Sequence, residues 1–156
     1  MIRPARPDDA QSIADIWNAC IRDTTDTFTT VEKDPETLAA QIELQPYLMA
    51  EAAGAVAGFV TYGQFRGGPG YVHTVEHSIH VADGARGQGL GRALMHACQD
   101  HARRAGIHSM IAGISAGNTA GVAFHETLGF VTCAHLAQVG WKWGRWHDLI
   151  LMQKML

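Results

Sequence analysis

Cysteine is scarce in this 156-residue chain: Cys20, Cys98 and Cys133, odd in number and far apart. A disulfide framework or a zinc ribbon needs more thiols at closer spacing, so buried, reduced thiols are expected at all three. Charge is also sparse, at 17% of residues, and Lys+Arg 12 against Asp+Glu 15 leaves a net of −3. The basic excess or stripe that holds a nucleic acid is therefore missing. No apolar run approaches the ~18 residues needed to cross a bilayer, and Met1 is not followed by the charged start and apolar stretch of a secretory leader. A soluble, cytoplasmic protein is the expectation. What the chain does have is a 47% hydrophobic composition without low complexity, which suits one domain, residues 1–156, around one sizeable core.

The apolar spacing orders that domain. Met1 to Ala5 reads as a short strand ending at Pro4. Pro7-Asp8-Asp9 opens a helix, with Asp8 as its cap and Ile13, Ile16, Trp17, Cys20 and Ile21 on one face. A polar stretch, Arg22 to Thr30, is interrupted only by Phe28. Pro35 begins a second helix with Leu38, Ile42 and Leu44 inward. Tyr47 to Ala50 and Val56 to Tyr62 form a hairpin around Gly54. After the loop Gly67-Gly68-Pro69-Gly70 comes a strand, Val72 to Val81. Leu90, Leu94, Ala97, Cys98, His101 and Ala105 mark an amphipathic helix that Gly106 stops. Met110 to Ile114 is a strand, Asn118 to Leu128 a helix and Phe130 onward a strand. A turn near Gly144-Arg145 leads to the last strand. The order is β-α-α-β-β-β-α-β-α-β-β, a mixed α/β layer structure.

Arg86-Gly87-Gln88-Gly89-Leu90-Gly91 lies between a strand and a long helix. Glycines let the backbone approach a ligand, and a helix N-terminus offers unpaired N–H groups and a positive dipole end. Such a loop suits a phosphate or pyrophosphate, with Arg86 and Arg92 adding charge at its rim, although a glycine loop also serves as a plain turn. No Gly-Lys-Ser/Thr follows, so a Walker A loop is excluded. No acidic residue stands about 20 positions on in a following strand, as a dinucleotide fold requires. The diphosphate of coenzyme A remains.

Arg86 to Gly91 resembles the Arg/Gln-x-x-Gly-x-Gly signature of the GCN5-related N-acetyltransferases (GNAT). Asn118, Phe124-His125-Glu126 and Leu128-Gly129-Phe130 resemble that family's second signature. His73-Thr74-Val75-Glu76-His77-Ser78 and Gly144-Arg145-Trp146-His147-Asp148-Leu149 are similar to its phosphinothricin and methionine sulfone/sulfoximine acetyltransferase branch, and the likeness runs from Ile2 to the C-terminus. The resemblance implies a mostly antiparallel mixed sheet flanked by helices, acetyl-CoA as acetyl donor, and a homodimer. It implies that the backbone of Ile79, His80 and Val81 holds the pantetheine arm. Gly87, Gln88, Gly89, Leu90, Gly91 and Arg92 would wrap the diphosphate, and Asn118 would bond near the thioester. Glu76 and His125 take the positions of the catalytic pair, and Arg66, Glu76, His77 and Ser78 fall in the segments lining the acceptor pocket. The branch often carries arginine where this chain has Val72, a loss that removes a contact for a carboxylate or other anion.

Elementary chemistry fits those roles. An ammonium must lose a proton before its nitrogen can attack a thioester, and a carboxylate in a closed pocket can take it. The departing thiolate gains from a donor, for which a histidine suits near neutral pH. Many relatives have tyrosine where this chain has His125, so His125 as acid and His125 as base both stand. Glu76 as a solvated strand residue and His125 as a satisfied core histidine are the bland readings. His73, Glu76 and His77 do not make a metal site: on a strand, His73 and His77 share one face and Glu76 points to the other. Trp141, Trp143 and Trp146 read as strand packing or a subunit interface, with Trp146 or His147 near the pocket. Phe28 either walls the acceptor site or anchors its loop. Neither Cys98 nor Cys133 reads as a nucleophile. The expected activity is transfer of acetyl from acetyl-CoA to the α-amino group of a small amino-acid analogue: phosphinothricin, methionine sulfoximine or methionine sulfone. Acetylation of an aminoglycoside or a protein N-terminus is the alternative within the class, and a non-catalytic acyl-CoA-binding sensor the alternative outside it.

Overall fold

The computed structural model describes residues 1–156. Eleven elements follow in the expected order: β1 (Ile2–Pro4), α1 (Ala10–Asp23), α2 (Pro35–Leu44), β2 (Tyr47–Ala52), β3 (Ala55–Gln64), β4 (Thr74–Val81), α3 (Leu90–Arg104), β5 (Ser109–Ser115), α4 (Thr119–Thr127), β6 (Val131–Lys142) and β7 (Arg145–Met155). They build one seven-stranded sheet, ordered β1-β2-β3-β4-β5-β7-β6. Every neighbouring pair is antiparallel except β4 and β5.

Strand alternation sends successive side chains to opposite faces, and both faces of the central strands β2, β3 and β5 are covered, whereas β6 is largely exposed. Tyr47, Met49 and Phe59 join Ile13, Ala14, Leu38 and Ile42 under α1 and α2. Leu48, Ala50, Val60 and Tyr62 join Leu94, Met95 and Cys98 of α3, with Met110, Ala112 and Met152. Burial on both sides explains why β2 and β3 read as near-continuous apolar runs. Two tight hairpins need positive φ at both central residues, supplied by Ala53-Gly54 (52° and 77°) and Trp143-Gly144 (54° and 73°). Gly106 ends α3 with φ 80°, as its position implied.

Several expectations shift. The strand expected from Val72 starts at Thr74, because Pro69–Tyr71 tightens into a 3-10 turn and Val72 itself is helical (φ −63°, ψ −19°). Asp8 caps nothing. Pro7 starts a 3-10 turn, so the third residue, Asp9, reaches back to accept the Arg6 N–H at 2.8 Å and also binds Arg3 at 2.8 and 2.9 Å. Leu44, two residues past buried Ile42, falls on the far side of α2 and is exposed. Of the cysteines only Cys98 is buried: Cys20 is half-buried, and Cys133 is exposed because β6 is the sheet's edge. The last hairpin turns at Trp143-Gly144, one residue before the expected place.

Candidate active site

The site begins with a gap in the sheet. β4 runs to Val81 and β5 to Ser115, yet they pair only from Thr74–Ser109 to His77–Ala112. Beyond His77 the parallel strands separate. Ile79, His80 and Val81 remain paired to β3 on one side, through Val60, Phe59 and Gly58, and present an unpaired backbone edge on the other. A cleft of about 730 Å³ opens there, bounded by β4, β5, the loop before α3, the start of α4 and the loop after α1.

The N-terminus of α3 faces this cleft. Gly89 sits at its start in the left-handed region (φ 79°), following Gly87 at 77°, a pair of conformations that side chains with a Cβ rarely adopt. No side chain caps α3, whereas Asp34 caps α2 by accepting from Thr37 N–H and Asn118 caps α4 by accepting from Gly121 N–H. The uncapped helix therefore aims free N–H groups and its positive dipole end into the opening. A Cβ at Gly87 or Gly89 would meet nothing within 4 Å, so these glycines serve backbone conformation and close approach rather than internal packing. This cradle fits a diphosphate, and the free β4 edge fits an amide-bearing arm laid beside it as a strand.

Most residues expected from the sequence come together here. Glu76, His77, Ser78, Ile79, His80 and Val81 line the cleft from β4. Arg86, Gly87, Gly89, Leu90, Gly91 and Arg92 line it from the loop and α3, Asn118 and His125 from α4, and Phe28 from the loop after α1. Two do not. Gln88 turns back to Gly84 O, and Arg66 stands exposed at the end of β3 over the Tyr71 ring, outside the lining. Arg86 pairs with Asp83 at 3.1 Å, and Arg92 donates to the Thr127 hydroxyl at 3.1 Å. Trp17 and Lys33, which no motif marks, also line the cleft, Lys33 Nζ standing 4.3 Å from the Trp17 ring centre. Trp17 shares the periodicity of a core face, so its spacing hid it.

Glu76 opens onto the cleft, yet the cleft walls exclude enough water to raise its carboxyl above the ordinary 4.5. Gly113 on β5 makes room for it: a Cβ there would stand 3.0 Å from the carboxylate. His125 is buried against His77, whose side chain leaves β4 on the face opposite Glu76. The Nδ1 of His125 lies 2.7 Å from Gly121 O, and its Nε2 lies 3.0 Å from Nε2 of buried His77, whose Nδ1 is 3.1 Å from Ile111 O. Three contacts call for three hydrogens, and two neutral rings carry two. The short Gly121 contact takes the His125 Nδ1 hydrogen, and His77 donates from Nε2 to His125 Nε2. The lone pair of His77 Nδ1 is left against Ile111 O. Burial and the charge of His125 push His77 down to about 3; protonation would let it donate to Ile111, but that gain is smaller. Burial lowers His125 as well. Both nitrogens of His125 are therefore engaged within the protein. His73 lies before β4, and no three His, Cys, Asp or Glu side chains gather as metal ligands.

Residues 11–130 match the model of the acetyltransferase (GNAT) family. The chain is 40% identical to an L-amino acid N-acyltransferase of Escherichia coli K12 over 99% of this chain and 93% of that one. It is 38% identical to an L-methionine sulfoximine/L-methionine sulfone acetyltransferase of Salmonella typhimurium (99% and 94%), and 34% identical to a phosphinothricin N-acetyltransferase of Alcaligenes faecalis (99% and 82%). Among solved structures, a ribosomal-protein-alanine N-acetyltransferase from Brucella melitensis superposes with a TM-score of 0.96 at 40% identity, covering 100% of this chain and 99% of that one. An acetyltransferase from Salmonella typhimurium, solved with its cofactor acetyl-CoA, has a TM-score of 0.96 at 38% identity, covering 100% and 93%. No helix is long and apolar enough to cross a membrane.

Proposed function

This chain belongs to the acetyltransferase (GNAT) family, and on that premise we propose that it acetylates the α-amino group of small amino-acid analogues: methionine sulfoximine, methionine sulfone and phosphinothricin. The single observation that carries the reading is the cleft itself, in which an uncapped helix N-terminus, a free strand edge and the Glu76 carboxylate share one cavity. Full-length similarity to relatives named for those substrates supports the choice of acceptor.

Acetyl-CoA supplies the acetyl thioester. Gly87 to Arg92 receive its diphosphate on backbone N–H groups, Arg86 and Arg92 add charge at the rim, and Ile79 to Val81 align its arm. Asn118 spends its carbonyl oxygen on Gly121 N–H, which leaves its NH₂ group for the thioester end. Glu76 takes the proton that the acceptor ammonium must shed, a task suited to a carboxylate lifted toward neutrality. His125, with both nitrogens engaged, acts as one unit with His77 in the wall, and Ser78 and Phe28 bound the acceptor space. Cys98, its thiol pushed up to about 12 by burial, is no nucleophile, which favours direct transfer without an acyl-enzyme. More than half of each of Trp141, Trp143 and Trp146 is exposed, and so apolar a hairpin supports a homodimer. We place its work in the cytoplasm.

The test is release of free coenzyme A thiol from acetyl-CoA with methionine sulfoximine, methionine sulfone, phosphinothricin, aminoglycosides and alanine-ended peptides. Turnover of the first three well above the rest is expected. Preference for a peptide or aminoglycoside would overturn the acceptor, and no turnover with any amine would leave only acyl-CoA binding.

A further inference from the structure

Lys142 is 1% exposed and has no carboxylate beside it. A buried ammonium is costly unless every hydrogen finds an acceptor. Here Nζ donates to three carbonyls, of Ile21 at 2.7 Å, Thr24 at 2.6 Å and Thr27 at 2.9 Å. The first two belong to the C-terminal end of α1, where unpaired carbonyls and the negative dipole end welcome a cation. The third lies in the following loop, next to Phe28. The same hairpin grips Phe28 directly. The ring stacks on His147 with centres 5.3 Å apart and planes 20° from parallel, and it rests on Gly140 so closely that a Cβ there would run into the ring. His147 is itself held by Lys142 O at 3.0 Å. A bulge in β6 puts these residues in line: Leu136 faces Leu149 and Gly140 faces His147, with Asp148 accepting the Gln138 N–H at 2.8 Å.

We propose that Lys142 and Gly140 are positioning residues, through which the β6–β7 hairpin fixes Phe28 and with it the acceptor-side wall of the cleft. Thr24, Thr27 and Phe28 lie past the last turn of α1, beyond its buried residue Ile21, and the hairpin supplies the Lys142, Gly140 and His147 contacts to this stretch. The inference rests on the acceptor reading above, and its tests are chosen to separate the two.

In Gly140→Ala the new methyl displaces Phe28. The KM for methionine sulfoximine should rise at least tenfold, with kcat within threefold and acetyl-CoA affinity by calorimetry within twofold. In a Phe28→Ala background, Gly140→Ala should add less than twofold, because no ring remains to displace. Additive effects, or equal losses for acceptor and acetyl-CoA, would overturn the proposal. Lys142→Met is read without substrate: the ring-current shift of Phe28 on His147 in the NMR spectrum should collapse while the core methyl signals stay. A retained Phe28 shift refutes the clamp even if the acceptor reading holds. Should Lys142→Met fail to fold, the Gly140/Phe28 cycle decides. Should the wild type acetylate none of these amines, the acceptor reading fails, and the Phe28 shift in Gly140→Ala still judges the clamp.

Discussion

His77 makes this fold acid-sensitive by an amount that follows from its surroundings. In an unfolded chain its ring titrates near the ordinary 6.5, whereas in the fold it takes a proton only at about 3. Between those values the unfolded state binds a proton that the native state refuses, so stability falls as pH falls through that window. The slope approaches 1.36 kcal/mol per pH unit for one such group. From neutrality to about pH 5, a unit and a half below the ordinary value, the expected loss from His77 is about 2 kcal/mol. Replacement by phenylalanine removes the titration and keeps the ring. It also strands His125 Nε2, a fixed cost of about 1–3 kcal/mol, so the informative quantity is the change with pH. Urea midpoints of wild type and His77→Phe at about pH 7.5 and about pH 5 supply it. His80, pushed down to about 4 by burial and the nearby charges of Arg86 and Lys33, titrates in both proteins and cancels. The wild type should lose about 2 kcal/mol more than the variant across that interval. Parallel losses would refute the assignment of His77 as a ring kept neutral by burial.

Glu76→Gln should lower kcat by about 10²–10⁴-fold while acetyl-CoA affinity stays put, since the proposed diphosphate cradle lies in the loop before α3 and not at Glu76. In the wild type, kcat/KM should climb with pH through a value above the ordinary 4.5, and unchanged turnover in the variant removes Glu76 from the chemistry. Gly89→Val puts a branched side chain at φ 79° in the path of the ligand and should abolish acetyl-CoA binding; normal affinity by calorimetry would discard the cradle. Iodoacetamide should modify exposed Cys133 long before Cys98 and leave transfer intact. Inactivation that tracks Cys98 labelling would argue for an acyl-enzyme.

The element order was legible because the central strands are covered on both sides, so most helices and strands carry strong apolar signals. Boundaries were lost where a proline created a local alternative: at Pro7, which moved the cap from Asp8 to Asp9, and at Pro69, which delayed β4 to Thr74. The glycine loop before α3 announced itself through Gly87 and Gly89, because positive φ needs glycine. Glu76 and His125 were singled out by family resemblance, and the fold places both in the lining of one cleft. The bond from His77 to His125 was not legible, because it joins residues 48 apart through a sheet. Lys142 was invisible for a similar reason. Its partners are main-chain carbonyls more than a hundred residues away, and carbonyls leave no mark on side-chain identity.

The parting of β4 from β5 has a consequence for how the protein fares when its donor runs short. A sheet ordinarily guards only its two outer margins, but this one carries a third margin in its middle, three residues of backbone able to accept any extended peptide. On the proposed reading, an acetyl-CoA arm laid along that margin would close the seam. If so, saturating donor should raise the protein's resistance to aggregation, because a ligand that binds only the folded state stabilises it.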